Sequence, residues 1–222
     1  MIGLNHQALK SSLAASGNSG LVIDIDETLS ATNVTWFQRC VDLFGNPEGL
    51  TVSELISKYH LAQFNPAWQS DEAKAWMHRQ RNSPEAQDNL PLIPGAVQGV
   101  RNLAKITSVV AYLTVRPESV NNNTIKWLMK NDFPKLPVVA KPDSVPFEEG
   151  NQWKARTLHD LWPEVVGIVD DNPKLPTFAG AGYPGDIYLF GRGEVESGYE
   201  WAIPCKTWQC VVKRIEEGVN RN

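Results

Sequence analysis

Carboxylates and a hydroxyl stand where apolar segments of this sequence end, a position at which sheet proteins often hold reactive groups. They are Asp24, Asp26, Thr114, Asp170 and Asp171. Carboxylates that converge repel one another and raise one another's pKa unless a cation lies between them. Ligand sets made only of oxygen suit Mg2+, which binds few protein groups and keeps room for water or a phosphate oxygen. If the fold brings these groups together, their types predict a magnesium site.

Short apolar runs precede these groups and predict the strands that position them. The runs begin at Leu21, Ser108, Leu136, Val165 and Asp186. Apolar residues recur at helical spacing near 96–104, 117–128, 153–161, 173–181 and 207–218. This alternation predicts an α/β fold with a Rossmann-like parallel sheet, flanked by helices and connected by right-handed crossovers. Because ligands bind beyond the carboxyl ends of such strands, we expect the polar groups to meet at one edge of the sheet.

The remaining segments suggest a division of the chain. Residues 1–19 are polar and end in a loop-like Ser/Gly/Asn stretch, which predicts a flexible N-terminal arm. Residues 31–92 carry aromatic and aliphatic side chains at helical spacing, which predicts a small helical module inserted between the first and second strands. The α/β core then comprises residues 20–30 and 93–222.

Composition excludes some classes of protein. The 222 residues carry a formal charge of -4, which argues against bulk electrostatic binding of a nucleic acid polymer. No segment approaches the roughly 20 apolar residues of a membrane span. The three cysteines lack zinc-ligand spacing and are expected to be free thiols. With no apolar signal core at the start, these features predict a cytoplasmic location, and nothing in the sequence indicates an oligomeric state.

The order of the motifs resembles the haloacid dehalogenase (HAD) superfamily, in its phosphatase branch with a helical cap of the first type. The matching residues are Asp24-Ile25-Asp26, then Thr114, then Lys154, then Asp170-Asp171. The resemblance implies a HAD-like core with the 31–92 module as its cap. It also implies a Mg2+-dependent hydrolase that acts on a small phosphorylated substrate through an aspartyl-phosphate.

The same resemblance assigns roles to the matched residues. Asp24 is expected to be the nucleophile, and Asp26 the general acid that later activates water as a base. Thr114 is expected to donate its hydroxyl to a phosphoryl oxygen, and Lys154 to neutralise charge on the phosphate and the nucleophile. Lys141 is the rival to Lys154, which we favour because it opens the helix before the acidic strand.

The metal ligands are predicted to be Asp24, Asp26, Asp171 and Asp170, and one of Asp24 and Asp26 can offer its backbone carbonyl and keep its carboxylate free. Either residue of the Asp170-Asp171 pair can be the direct ligand, and the pair can also cap the next helix. Many HAD proteins carry another Asp four residues after the metal-binding one, where this chain has Leu175. Thr28 or Asp26 can likewise serve as a helix cap.

Further residues have weaker signals. Arg116 follows Thr114 closely, and its planar fork suits a substrate phosphate, although a solvated surface arginine fits equally. His78, Arg79 and Arg81 in the predicted cap are interpreted as a solvated face in preference to a substrate contact. Three tryptophans of the same module are interpreted as its core in preference to a platform for a base or sugar; they are Trp36, Trp68 and Trp76.

The leading hypothesis is a phosphomonoester hydrolase for a small metabolite, such as a nucleoside monophosphate or a sugar phosphate. A phosphotransferase of the same fold and a non-catalytic protein that binds a phosphate ligand are the alternatives. A binding protein has no need of a general acid, so Asp26 favours an enzyme.

Overall fold

The computed structural model describes residues 1–219, in which strands alternate with helices as the sequence predicts. Within that range the strands are β1 (Gly20–Ile23), β2 (Val109–Pro117), β3 (Val138–Lys141), β4 (Val165–Asp170), β5 (Asp186–Phe190) and β6 (Ile203–Cys205). The α-helices of the same range are α1 (His6–Ser16), α2 (Thr32–Phe44), α3 (Val52–Tyr59), α4 (Asp71–Arg81), α5 (Ala96–Ile106), α6 (Asn121–Lys130), α7 (Gly150–Leu161), α8 (Leu175–Ala179) and α9 (Trp208–Val219).

All six strands form one parallel sheet in the order β3-β2-β1-β4-β5-β6. The predicted α/β fold with a Rossmann-like sheet is therefore confirmed. β1 lies between β2 and β4, so the carboxyl ends of these three strands are neighbours. This order brings the segments that follow Ile23, the end of β2 and Asp170 to the same edge of the sheet.

Helices cover both faces of the sheet. Side chains alternate along β1, so that Leu21 and Ile23 pack on one face and Val22 packs on the other. The first face is covered by α5, α6 and α9, and the second by α1, α7 and α8. Burial of apolar side chains in these two layers holds the strand ends in place, because a shift of one residue would exchange the faces.

The N-terminal segment differs from the flexible arm predicted for residues 1–19. Residues 6–16 form α1, whose Leu9 and Leu13 are buried against the second face of the sheet. Asn5 caps this helix by accepting a hydrogen bond from the Ala8 N–H at 2.8 Å. Just before it, Gly3 pairs with Val138 at the sheet edge. Two leucines four residues apart are enough to dock a helix here, although they are too few to reveal it in the sequence.

Strand β6 is a second difference, because the sequence predicts no strand there. It has three residues, and Pro204 interrupts its hydrogen-bonding capacity. Its position at the edge of the sheet is where a strand tolerates proline.

In the sequence, helices α2, α3 and α4 come between β1 and α5. Their side chains form a separate hydrophobic cluster. Its fully buried members include Phe37 and Trp68, whose rings meet edge to face. The two segments that connect these helices to the sheet pair with each other: Ser30 bridges Leu92 in antiparallel fashion. The helices predicted in this span are confirmed, while its role as a cap stays a prediction.

Candidate active site

Asp24 lies immediately beyond β1 and is almost completely buried. Its backbone N–H donates to the Val169 carbonyl on β4 at 2.9 Å, which fixes the chain where it leaves the strand. One carboxylate oxygen accepts a hydrogen bond from Lys154 Nζ at 2.6 Å, and the other faces Thr28 Oγ1 at 3.4 Å. Burial raises the pKa of Asp24 to about 7, although Lys154 opposes the rise.

Lys154 joins two of the strand ends. It extends from the first turns of α7 and donates to Asp24 and, at 2.7 Å, to Asp170 Oδ2. Burial favours its neutral form, but the two carboxylates outweigh burial and raise the pKa of Lys154 above its usual value. Asp170 also accepts the Asn172 N–H at 2.9 Å, so it holds both the lysine and the loop that follows β4.

Asp24, Asp170 and Asp171 form a cluster that can hold a metal ion. Each offers a carboxylate oxygen, and these oxygens lie within 4.8 Å of one another. Burial, followed by repulsion from Asp170 and Asp24, raises the pKa of Asp171 well above its ordinary value. With the three carboxylates ionised and Lys154 charged, two negative charges remain, which a divalent cation would offset.

The two members of the acidic pair have different environments. Asp170 is engaged by Lys154 and by the Asn172 N–H, whereas among residues 1–219 no side-chain hydrogen bond or ion pair engages Asp171. The carboxylate of Asp171 is therefore more available to a metal ion than that of Asp170. Asp26 has its carboxylate outside this cluster, and its contribution through the backbone carbonyl stays a prediction.

The carboxylate of Asp26 is held by Arg116 from the end of β2. Arg116 Nε donates to Asp26 Oδ2 at 2.9 Å, and Nη2 donates to Oδ1 at 2.7 Å. Thr32 Oγ1, at the start of α2, donates to the same Oδ1 at 2.5 Å, and Ser30 Oγ lies 3.3 Å from it. Burial alone would raise the pKa of Asp26, but Arg116 and Thr32 outweigh it, and the pKa is lowered from its ordinary value.

Thr114 is fully buried in β2, next to the strand that carries Asp24. Its hydroxyl oxygen accepts the Arg116 N–H at 3.2 Å. The hydroxyl proton is then available to a second group, which is what a donor to a phosphoryl oxygen requires.

Several other predicted residues lie away from this cluster. Lys141 Nζ donates to the Val145 and Pro142 carbonyls of its own loop, at 2.5 and 3.2 Å. Of the two rival lysines, Lys154 is the one in contact with Asp24. Leu175 is completely buried among apolar side chains of the second face.

The weaker signals of the helical module have plain structural explanations. His78 and Arg79 are exposed, whereas the guanidinium carbon of Arg81 lies 3.8 Å from the centroid of the Phe147 ring. Trp68 is inaccessible within the module's own core, and Trp36 meets Trp76 edge to face.

Residues that no sequence motif singled out also shape the site. Ser30 and Thr32 orient Asp26, as described above. Glu27 adopts a left-handed backbone conformation (φ 56°) and accepts the Asn33 N–H at 2.6 Å, at the start of α2. Burial raises the pKa of Glu27 to about 7. The dense run of acidic and hydroxyl side chains from Asp24 to Thr32 is the one signal that could have marked them.

Comparisons with known proteins give a consistent fold. The chain matches no protein-family model, and no curated protein sequence matches it. Among solved structures it is similar to a HAD family hydrolase from Deinococcus radiodurans R1 with bound phosphate and sodium, at 13% identity and a TM-score of 0.54, over 91% of this chain and 97% of that one.

Two further structures extend the comparison. A protein from Clostridium acetobutylicum described as a predicted phosphatase is 10% identical, with a TM-score of 0.54, over 90% of this chain and 99% of that one. A dehalogenase with an intermediate complex is 16% identical, with a TM-score of 0.54, over 89% and 96%. At these identities the likeness establishes the fold alone, and at that level the predicted resemblance to the HAD superfamily is confirmed.

In residues 1–219, none of the helices is both long and apolar enough to cross a bilayer.

Proposed function

We propose that this chain, which has the fold of HAD hydrolases, is a Mg2+-dependent phosphomonoester hydrolase that works through an aspartyl-phosphate on Asp24. One observation carries the proposal: Lys154 bonds both Asp24 and Asp170, inside a cluster in which Asp171 is the third carboxylate. Such a site holds a carboxylate nucleophile beside a lysine and a divalent-cation site, the combination that phosphoryl transfer requires.

In the first step, a carboxylate oxygen of Asp24 forms a bond to phosphorus while the bond from phosphorus to the leaving oxygen breaks. Asp26 supplies the proton that the leaving oxygen takes up as it departs. The Thr114 hydroxyl donates to a phosphoryl oxygen, and Lys154 stabilises the negative charge of the transferring group.

In the second step, Asp26 as a carboxylate removes a proton from water, whose oxygen attacks phosphorus and releases phosphate from Asp24. The lowered pKa of Asp26 in the free protein favours this ionised form. A phosphoryl dianion that arrives beside Asp26 raises its pKa again, because like charges disfavour ionisation. The same carboxyl group can then serve as acid and as base.

Mg2+ bound by Asp24 and Asp171, with Asp170 adjacent, would neutralise phosphoryl charge and orient the phosphoryl group. The donor set fits this ion, because it consists of carboxylate oxygens within 4.8 Å of one another and carries excess negative charge.

The test is release of phosphate from a generic aryl phosphate by the purified protein. We expect turnover with Mg2+, loss of turnover with EDTA, and loss of turnover with Mg2+ after Asp24→Asn. Asp160→Asn is a matched control, because this exposed carboxylate lies outside the acidic cluster. A panel of nucleoside monophosphates and sugar phosphates would then identify the substrate class. Absence of turnover across a broad panel of phosphate esters would contradict the proposal and favour a phosphate-binding protein.

Dehalogenation is the competing activity, since the structural neighbours include dehalogenases. Displacement of halide by a carboxylate needs neither a proton donor for the leaving group nor a divalent cation. Asp26 and the acidic cluster are therefore the observations that favour phosphate esters. Release of halide from a 2-haloacid, independent of Mg2+ and without activity on esters, would reverse the assignment.

A further inference from the structure

The environment of Arg116 differs from that of a phosphate-binding arginine. Arg116 is 5% exposed, and its side chain extends from the last part of β2 towards the start of α2. A guanidinium group has five N–H donors. Two of them bind Asp26, one binds Ser30 Oγ at 3.0 Å, and one faces Thr124 Oγ1 at 3.4 Å.

At most one N–H of Arg116 is therefore free for a substrate. The fork geometry that makes arginine a good phosphate ligand is already used for the Asp26 carboxylate. On another side, the guanidinium carbon lies 6.0 Å from the centroid of the Trp127 ring on α6. To bind phosphate with two N–H groups, Arg116 would have to release Asp26 and leave that partly buried carboxylate without its cation, which is costly.

We propose that Arg116 is a positioning residue, whose bidentate contact holds Asp26 where it can exchange protons with the leaving oxygen and with water. This inference rests on the proposed hydrolase function and replaces a phosphate contact for Arg116 with one to Asp26. The pair joins β2 to the segment after β1 across 90 residues of sequence. Thr32 and Ser30 also contact Oδ1 of this carboxylate, so three side chains together fix its position.

A double-mutant cycle separates positioning from phosphate binding. If Arg116 acts through Asp26, Arg116→Gln lowers kcat about 100-fold, the order of loss that follows from misplacing a reacting group. KM changes by less than about 3-fold, because ground-state binding of the phosphate is untouched. Asp26→Asn removes the proton transfer itself, and Arg116→Gln added to it then lowers kcat little further.

The affinity for inorganic phosphate, measured by calorimetry in the presence of Mg2+, is a readout that does not depend on turnover. We expect the dissociation constants of wild type and Arg116→Gln to agree within about 3-fold. An arginine that contacts phosphate would instead weaken binding by about 10-fold or more, the loss expected for a charge-assisted hydrogen bond.

Two further variants keep the test interpretable. Arg116→Lys retains the buried charge and lacks the fork, so we expect a folded protein with lowered kcat and unchanged phosphate affinity. Arg156→Gln removes an exposed arginine of α7 and should leave both quantities unchanged. Circular dichroism and thermal unfolding establish that each variant is folded.

The outcomes are distinct. If the wild type turns over, additive losses in the double mutant overturn the inference and leave the hydrolase function intact. Weakened phosphate binding in Arg116→Gln or Arg116→Lys has the same consequence. A wild-type protein that hydrolyses no phosphate ester overturns the proposed function, and with it the role of Arg116 in catalysis.

Discussion

Lys154 Nζ donates a hydrogen bond to Asp24 Oδ1 at 2.6 Å, although 130 residues separate the two positions in the chain. Both side chains are almost completely buried, so water screens the contact little. The parallel arrangement of β1 and β4 places α7, which precedes β4, beside the end of β1. The ion pair thus depends on the order of the strands in the sheet, and it places the positive charge of Lys154 beside the proposed nucleophile.

Replacing Lys154 with methionine should abolish turnover while keeping most of the side-chain volume. The change removes the cation that stabilises the transferring group, so we expect kcat to fall at least about 100-fold, as for loss of one electrostatic contact to the transition state. It also leaves Asp24 and Asp170 buried without their partner. We therefore expect a lower Tm, partly restored by Mg2+, measured by differential scanning fluorimetry.

Lys141→Met is the control, because this lysine is buried to a similar extent and binds loop carbonyls instead. Its kcat should stay within a few-fold of wild type. If Lys141→Met abolished turnover and Lys154→Met did not, the assignment of the phosphate-neutralising lysine would be reversed.

The stability of the metal-free protein should depend on pH through Asp24. Its pKa rises from an ordinary value of 3.8 to about 7 in the folded protein, first because of burial. A raised pKa means that the folded state binds the proton more tightly than the unfolded state does. The contribution of Asp24 to stability is therefore fully present below pH 3.8 and is lost as the pH rises towards 7.

Mg2+ should reverse this loss, because it binds the ionised carboxylates of the folded state. We expect millimolar Mg2+ to raise Tm more at about pH 8 than at about pH 5, where Asp24 is protonated. Asp24→Asn should reduce the difference, and the raised pKa of Asp171 accounts for the part that remains. An equal rise of Tm at both pH values, or the same rise in the variant, would argue against a metal at this cluster.

Thr114→Val tests the hydroxyl with almost no change in shape. The side chain is completely buried in β2, and valine suits a strand. A lost hydrogen bond to a charged phosphoryl group predicts a fall in kcat/KM of about 10- to 100-fold for hydrolysis of an aryl phosphate. Thr114→Ser retains the donor and should lose less than about 5-fold by the same reasoning. Equal losses in the two variants would assign Thr114 to packing alone.

The sequence carried enough information for the fold and for the residues that meet around Lys154. Each strand that bears Asp24, Thr114 or Asp170 is a continuous apolar run, and such runs bury themselves in the centre of a parallel sheet. Once β1, β2 and β4 are parallel neighbours, their carboxyl ends must share an edge. That step depends on topology alone, which is why it could be taken without coordinates.

The partner of Arg116 could not be predicted in the same way. The sequence suggested that β2 ends at Thr114, and it left open whether Arg116 binds a substrate phosphate or is a solvated surface arginine. The structure extends β2 to Pro117, so Arg116 projects to the same side as Thr114, two residues away, and reaches Asp26. Side-chain partners across 90 residues depend on such details of strand length. Helix α1 escaped prediction for a related reason, since Leu9 and Leu13 acquire their packing partners only in the folded protein.

Gly99 and Trp208 provide a final prediction that links the sheet's helical layer to the site. A β-carbon at Gly99 in α5 would lie 2.6 Å from the Trp208 ring of α9. Trp208 Nε1 in turn donates to the Thr28 carbonyl at 3.1 Å, in the segment that follows Asp26.

Alanine is the better helix former by about 1 kcal/mol, so helix propensity alone predicts that Gly99→Ala stabilises the protein. The clash predicts the opposite, because overpacking a well-filled contact costs about 1–3 kcal/mol. We expect the clash to prevail, with a lower free energy of unfolding in urea and, because the Thr28 carbonyl loses a well-placed donor, a lower kcat. Gln98→Ala, at an exposed position of the same helix, should change neither quantity appreciably. A Gly99→Ala variant as stable and as active as wild type would mean that α5 and α9 can separate without disturbing the loop that carries Asp26.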